Sequence, residues 1–376
     1  MSESGRVLRA AREEANIGLD YMAKKTSYSK SMLSRVENGT RTATPELVAA
    51  YERTLGVQGL GEDVNRRELL AAVAAMAAGA AVPEPLSRLL DGLVSPEVPS
   101  EVGTSEVNAV LQATNAYTAI DLRLGGAAAA DVSTGALRWA VSLLDASMTT
   151  STRTALSSAV AALADRTAWT HYDAGRKYSA RRLAELALRT ANEGDDRDLR
   201  AHVLIDTASQ IGKDEPAEAA KIVSVAFSDK RVCALEQANL HAVCARHLAN
   251  AGETSNARRH IHLAEQLSAR GGDAPAWATF LTPAHVDKLI TESLSAAGER
   301  QEAIRRFETI LPQFGPDRAR ARAGLVISLG TLYAQEGRLE EARSLADQAD
   351  AALTDVRSGR AASSLKDLRE LLSASL

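Results

Sequence analysis

The chain has 376 residues, 45% of them apolar, 24% charged and 4% aromatic, with a formal net charge of −4. That length predicts two or three domains and a sizeable core, and the composition excludes a disordered chain, a collagen and a disulfide-rich secreted scaffold. A weakly negative balance also excludes a polycationic nucleic-acid coat, so any nucleic-acid function must be local.

Residues 1–60 alternate short helical patterns with polar turns, predicting four to five helices. The stretch from Ile17 to Gly39 is the most informative. A first helix runs from Leu19 to about Thr26 with Met22 and Ala23 facing inward, and Ser29 is placed to cap the next. On a wheel at 100° per residue, Lys30, Ser31, Ser34, Arg35 and Asn38 share one face while Leu33 and Val36 lie opposite. Thr44 and Pro45 are a cap and first-turn pair opening another helix. Its Leu47, Val48, Tyr51 and Leu55 complete a small core with Val7, Leu8 and Ala11.

This stretch resembles the helix-turn-helix of the phage-repressor-like (XRE) family of bacterial regulators. Ala23, the Ser-Arg-Val-Glu-Asn-Gly ending at Gly39 and the Pro-Glu-Leu from Pro45 fall in register. The resemblance implies that Lys30, Ser31 and Ser34 read base edges in a DNA major groove and that Arg35 contacts base or phosphate. It also implies that Asn38 and Arg41 grip phosphates, and that Arg12 and Glu37 form an ion pair between the first and third helices. Two positions depart from the pattern. Leu19 replaces the usual Gln, removing a phosphate contact, and Ser27 replaces the usual turn Gly, which predicts strain. Lys24–Arg41 carries five cations and one acid, a small basic face suited to salt-sensitive, specific double-stranded-DNA binding.

Residues 61–104 read as a connector: a helix bearing Arg66 and Arg67, a short helix after Pro83 and Pro85, and a Pro/Ser/Gly-rich linker from Asp91 to Thr104. The Arg-Arg pair with the Ala-rich run Leu69–Val82 mimics a twin-arginine signal. It lies far from the N-terminus, and a 14-residue run is too short to span a bilayer. The expectation is a cytoplasmic protein with no membrane segment.

From Ser105 onward the pattern is helix, short turn, helix, and no stretch reads as a hairpin of strands, so the fold class is all-α. Gly175, Gly212, Gly252, Gly298 and Gly337 recur at intervals of 37, 40, 46 and 39 residues. Each is followed five residues later by alanine: Ala180, Ala217, Ala257, Ala303 and Ala342. The glycine permits the turn of a helical hairpin, and the alanine lets its second helix approach the first. Gly125 with Ala130 forms a sixth, atypical unit, and a last helix from Gly359 to about Ser373 caps the array. The pattern looks like divergent tetratricopeptide repeats forming an α-solenoid over residues 105–376.

Residues on the turns preceding each glycine should line its concave face. These are Asp165, Trp169 and Tyr172; His202, Asp206 and Ser209; Asn239 and Arg246; His285, Lys288 and Glu292; then Ile327 and Thr331. Such a face suits a peptide or small-molecule effector, or is polar only because it is solvated. Cys233 and Cys244 are eleven residues apart on one predicted helix, about 16 Å, too far for a disulfide. With His241, His247, His260 and His262 they lack the spacing of a dedicated metal site. Phosphate-loop, dinucleotide and nucleophile-elbow motifs are absent. No cofactor, metal or enzymatic activity is expected.

The combination resembles cytoplasmic regulators in which repeats sense an effector and alter DNA binding, including a group from GC-rich bacteria with an internal Arg-Arg helix. The Arg-over-Lys bias of 35 to 9 fits such genomes. A homodimer on an inverted repeat is expected, because one short helix reads too few base pairs. The competing reading is a repeat-based interaction scaffold with the helix-turn-helix as a tether.

Overall fold

The computed structural model describes residues 3–15, 17–41, 43–57, 60, 99–229 and 231–374. The chain divides into two units, Met1–Val82 and Pro83–Leu376. The Arg66-Arg67 helix, the helix after Pro85 and most of the linker lie outside the described residues.

Among the described residues the first unit has four helices: α1 (Glu3–Glu14), α2 (Leu19–Thr26), α3 (Lys30–Glu37) and α4 (Pro45–Leu55). Their apolar faces meet in one core, where Leu8, Met22, Leu33, Val36, Leu47 and Tyr51 are fully buried and Val7 and Val48 nearly so. Local chemistry sets the boundaries. Ser29 Oγ accepts from the Met32 amide at 3.2 Å, starting α3, and Thr44 Oγ1 accepts from the Leu47 amide at 3.3 Å, starting α4. Ser27 closes α2 in the left-handed region, with φ of 60°, and among the described residues no other non-glycine has positive φ. The strain expected from Ser at a Gly position is therefore present. Leu19 packs against the core instead of offering a polar group. Gly5 is where α1 crosses the end of α3, since a Cβ there would collide with the Val36 carbonyl oxygen.

A buried polar triad crosses this core. Arg12 forks onto Glu37, with Nε to Oε1 and Nη2 to Oε2 both at 2.7 Å, and Tyr51 Oη donates to Glu37 Oε1 at 2.8 Å. Arg12 also donates to the Ile17 carbonyl at 2.9 Å. The guanidinium thus joins α1, the α1–α2 turn and α3, while Tyr51 ties in α4. The bidentate fork fixes angle as well as distance.

The second unit is a set of helical hairpins. The first helices are α5 (Thr104–Leu124), α7 (Thr150–Asp173), α9 (Arg197–Ile211), α11 (Ala234–Asn250), α13 (Pro283–Ala296) and α15 (Ala319–Gln335). They pair with α6 (Gly126–Ser142), α8 (Lys177–Glu193), α10 (Pro216–Ala226), α12 (Thr254–Arg270), α14 (Arg300–Ile310) and α16 (Leu339–Ala352), and α17 (Gly359–Ala374) follows. Each first helix packs on the next, and α15 returns to pack on α5, so the first helices form a closed inner ring. Helix α17 packs on α15, α16 and α7. A helix enclosed on all sides buries residues around its whole circumference; α7 does so almost without interruption from Leu156 to Asp173.

Gly175, Gly252, Gly298 and Gly337 make the hairpin turns at φ of 81°, 84°, 83° and 77°. The alanines five residues on are buried at the hairpin contact. Gly212 is different: its φ is −65°, and a Cβ on it would collide with the His247 ring. Its turn is two residues longer, because α10 begins four residues after the glycine whereas α8, α12, α14 and α16 begin two after theirs. The packing alanine therefore shifts from the exposed Ala217 to the buried Ala219.

Breaking the triad leaves the buried guanidinium with only the Ile17 carbonyl and the exposed Glu13 carboxylate, 3.6 Å away. Glu37→Ala should cost the first unit about 3–5 kcal/mol, read as faster amide hydrogen exchange across α1–α4. Arg12→Met combined with Glu37→Ala should recover much of the loss.

Candidate functional site

Two surfaces carry chemistry. On α3, Leu33, Val36 and Glu37 point into the core, which turns the opposite face outward. Lys30, Ser31, Arg35, Asn38 and Arg41 are exposed and Ser34 is half-buried, so all six residues expected to touch DNA lie on the accessible side. Three of them are engaged within the chain. Lys30 Nζ meets the exposed Asp20 carboxylate at 2.8 Å, and Asn38 Nδ2 donates to Ser34 Oγ at 3.2 Å. Exposed contacts of this kind are worth little and exchange readily for a phosphate or base edge.

The second surface is a chamber of about 350 Å³ inside the ring of first helices, within the size range of small-molecule sites. Trp169 and Tyr172 from α7, His202 and Asp206 from α9, Asn239 and Arg246 from α11, and His285 and Lys288 from α13 all line it. So do Ser209, Glu292 and Ile327. Asp165 is buried beside His202 instead, and the Thr331 hydroxyl turns back onto the Ile327 carbonyl at 2.9 Å. Register relative to the hairpin glycine thus assembles residues from five helices around one space.

Sequence reasoning missed Arg166, Phe280, Arg320 and Arg360, which also line the chamber. Arg320 lies one helical turn beyond the face that was counted, so extending that face would have found it. Phe280 comes from the loop before α13 and Arg360 from α17, and neither has a repeat register to follow.

Cations, carboxylates and rings are layered here. Arg360 lies over the Trp169 ring at 5.0 Å and Arg166 over Phe280 at 4.6 Å. Behind the cations stand two buried aspartates. Asp121 accepts from Arg320 Nη2 at 2.9 Å. Asp173 accepts from the Gly126 amide at 2.9 Å, from Ser358 Oγ at 2.9 Å and from Arg360 Nη2 at 3.3 Å. Burial alone would raise the Asp173 carboxyl, but Arg320, Arg360 and its hydrogen bonds outweigh it and hold it below the ordinary range. Elsewhere Arg246 at 2.7 Å and Lys288 at 2.6 Å share Glu292. These cations overcome the effect of burial and hold that carboxyl at about 2. Several lining atoms have no hydrogen-bond partner among the described residues: Trp169 Nε1, Asn239 Oδ1 and both ring nitrogens of His247. Burial, with Arg246 beside it, pushes His247 down to about 3, so the ring is neutral and offers one donor and one acceptor.

His202 sits at the most acidic point. Its Nδ1 is 3.0 Å from Glu236 Oε1, and its Nε2 is 3.7 Å from Asp206 Oδ2 and 3.9 Å from Asp165 Oδ2. Burial works against its protonation, but Glu236, Asp206 and Asp165 outweigh it and push the imidazole up to about 9. Asp165 is pushed up to about 7 by burial and then by Asp206. The cysteines are free, and burial pushes Cys233 up to about 11 and Cys244 to about 12, which makes both poor nucleophiles. His241 and His260 bond to each other, Nδ1 to Nδ1 at 2.9 Å, against Phe227. Among the described residues no helix is long and apolar enough to cross a membrane.

Residues 3–69 match the family described as "Helix-turn-helix domain". The first unit is a helix-turn-helix domain, with α2 and α3 as its two helices, attached to an all-helical body. A crystal structure of Bacillus thuringiensis PlcR in complex with the peptide PapR7 and DNA aligns over 99% of this chain and 99% of that one. Identity is 9% and the TM-score 0.33, too loose a likeness to carry an argument. No curated protein matches the sequence.

Asp173 joins the first hairpins to α17. Asp173→Ala should release that helix, costing about 3–5 kcal/mol for the broken buried pairs. Amide exchange should accelerate over Gly359–Ala374 while α12, remote from Asp173, changes little.

Proposed function

We propose that this protein is a sequence-specific, double-stranded-DNA-binding transcription regulator of the bacterial cytoplasm. It acts as a homodimer on an inverted repeat and responds to a small effector held in the helical chamber. The observation that carries the DNA reading is the outer face of α3. Two cations, two hydroxyls and an amide project from a helix whose inner face is locked by Arg12, Glu37 and Tyr51. Small polar and cationic groups on one rigid helix are what major-groove readout uses, with Arg41 adjacent for the backbone. Dimerisation follows from information content, since one short helix specifies too few base pairs to select a genomic site.

The chamber argues for an anionic effector with an apolar or aromatic body, either a small molecule or the end of a peptide. Arg166, Arg246, Lys288, Arg320 and Arg360 reach its wall beside Trp169, Tyr172 and Phe280, and its orphaned donors and acceptors are available to such a ligand. The scaffold reading draws on one observation, the Lys30–Asp20 pair, which engages one cation of the reading face.

Genomic fragments bound by the purified full chain at about 150 mM salt, a concentration that suppresses non-specific binding, should be enriched in one inverted repeat. The Lys30→Ala/Ser34→Ala double variant should lose that enrichment, at about 1–3 kcal/mol for each good base contact removed. Equal enrichment by both proteins would favour the scaffold. A solution mass of one chain, on DNA and off it, would end the dimer claim. On the selected site, occupancy should change on adding deproteinised cell extract, and an Arg246→Ala/Lys288→Ala variant should bind DNA without that response.

A further inference from the structure

A buried carboxylate–histidine constellation stands at the wall of the chamber, and neither DNA reading nor anion binding uses it. His202 and Asp206 are one helical turn apart on α9 and therefore share a face, and Asp165 reaches them from the neighbouring α7. All three residues are buried, and one ligating atom from each lies within 4.8 Å of the others.

The histidine is oriented. The Glu236 carboxylate, itself held by Asn239 Nδ2 at 3.4 Å, stands at His202 Nδ1 and accepts its hydrogen. Trp277 and Phe280 flank the ring with centroids at 5.2 and 5.1 Å. That places the lone pair of the neutral imidazole on Nε2, facing Asp165 and Asp206, and Nε2 has no hydrogen-bond partner among the described residues. A carboxylate on the far nitrogen of a histidine is the usual second contact of a metal-bound imidazole. In the metal-free protein the surrounding carboxylates favour a proton on this imidazole, but the two aspartate oxygens at 3.7 and 3.9 Å are beyond hydrogen-bond reach of Nε2, and a divalent ion bound there would displace that proton.

We propose that Asp165 Oδ2, His202 Nε2 and Asp206 Oδ2 form a binding site for a divalent metal ion of the zinc class. One imidazole nitrogen with two carboxylate oxygens suits Zn2+ and its neighbours in the first transition row. Tetrahedral Zn2+ with bonds of about 2.0–2.1 Å needs ligand atoms about 3.3 Å apart. The ion therefore draws the observed 3.7 and 3.9 Å separations inward by about half an ångström, a side-chain adjustment. His202 and Asp206 also line the chamber, which sets the site at its wall. The charge balance agrees: Asp165, Asp206 and Glu236 crowd one imidazole in a buried setting, and a dication offsets their repulsion. The motif is hidden in the sequence because Asp165 and His202 are 37 residues apart, one repeat period rather than one helical turn.

The test is a calorimetric titration of chelator-treated full-length protein with ZnCl2, in the absence of DNA and effector, so its outcome is independent of the regulator reading. One saturable site per chain is expected. His202→Ala and Asp206→Asn should each weaken it at least tenfold, and Glu236→Gln by about 10–100-fold, the usual effect of losing a metal ligand's outer partner. His260→Ala, in the separate histidine pair, should leave it unchanged. Circular dichroism monitors folding, and the near-isosteric Asp206→Asn carries the test if His202→Ala does not fold. The proposal is overturned by no saturable binding, by unchanged binding in both Asp206→Asn and the folded His202→Ala, or by binding that disappears with His260→Ala.

Discussion

Closure of the helical ring at Asp173 is the constraint on which the second unit depends. An array of hairpins joined only to neighbours has two free ends and a concave groove. Here the first and last members meet. Asp173, at the end of α7, receives the α6 amide of Gly126, the Ser358 hydroxyl and the Arg360 guanidinium, while Arg320 of α15 donates to Asp121 of α5. The Arg357 amide also donates to the Leu124 carbonyl at 2.7 Å. These contacts convert a groove into a chamber, and they set Arg320 and Arg360 on its wall. Buried ion pairs are poor sources of net stability but strict about geometry, and geometry is what closing a ring requires. The Arg12–Glu37–Tyr51 triad serves the same purpose in the small unit, where a core of few side chains would otherwise leave the angle of α3 loosely determined.

How much of this was legible in the sequence follows from the range of the interactions. The caps at Ser29 and Thr44, the two faces of α3 and the strained Ser27 each depend on a few consecutive residues, and periodicity alone places them. The Arg12–Glu37 pair spans 25 residues and came only through the resemblance to a regulator family. The chamber residues were legible because the repeat supplies a register: once Gly175 or Gly298 marks a turn, the residues one, two and three turns earlier must share a face.

What was not legible crosses the register. Ring closure joins Asp121 to Arg320 across 199 residues and Asp173 to Ser358 across 185. No local pattern marks an aspartate as the partner of an arginine so far away. Gly212 shows the limit in another form. It recurs at nearly the right interval, yet it is kept free of a side chain by the His247 ring, not by backbone conformation. Two glycines with one spacing can thus answer to different physics, and the two-residue extension before Pro216 moved the packing alanine with it.

Size and closed side walls narrow what the chamber can take. An extended peptide advances about 3.3–3.6 Å per residue, so a long one needs a groove open at both ends. In this unit α15 packs against α5, and α17 contributes Arg360, Ala361 and Ser364 to the chamber wall. A space of about 350 Å³ is the size of a compact ligand or the end of a peptide. Such a ligand would touch several inner helices at once, and because each inner helix packs on both neighbours, a shift of one must be shared around the ring. Ligand binding would then act on the closure itself, through Arg320 and Arg360, which face the chamber and also bond the buried aspartates. A ligand anion competing for those guanidiniums would act on Asp121 and Asp173 directly, with no need for a longer path.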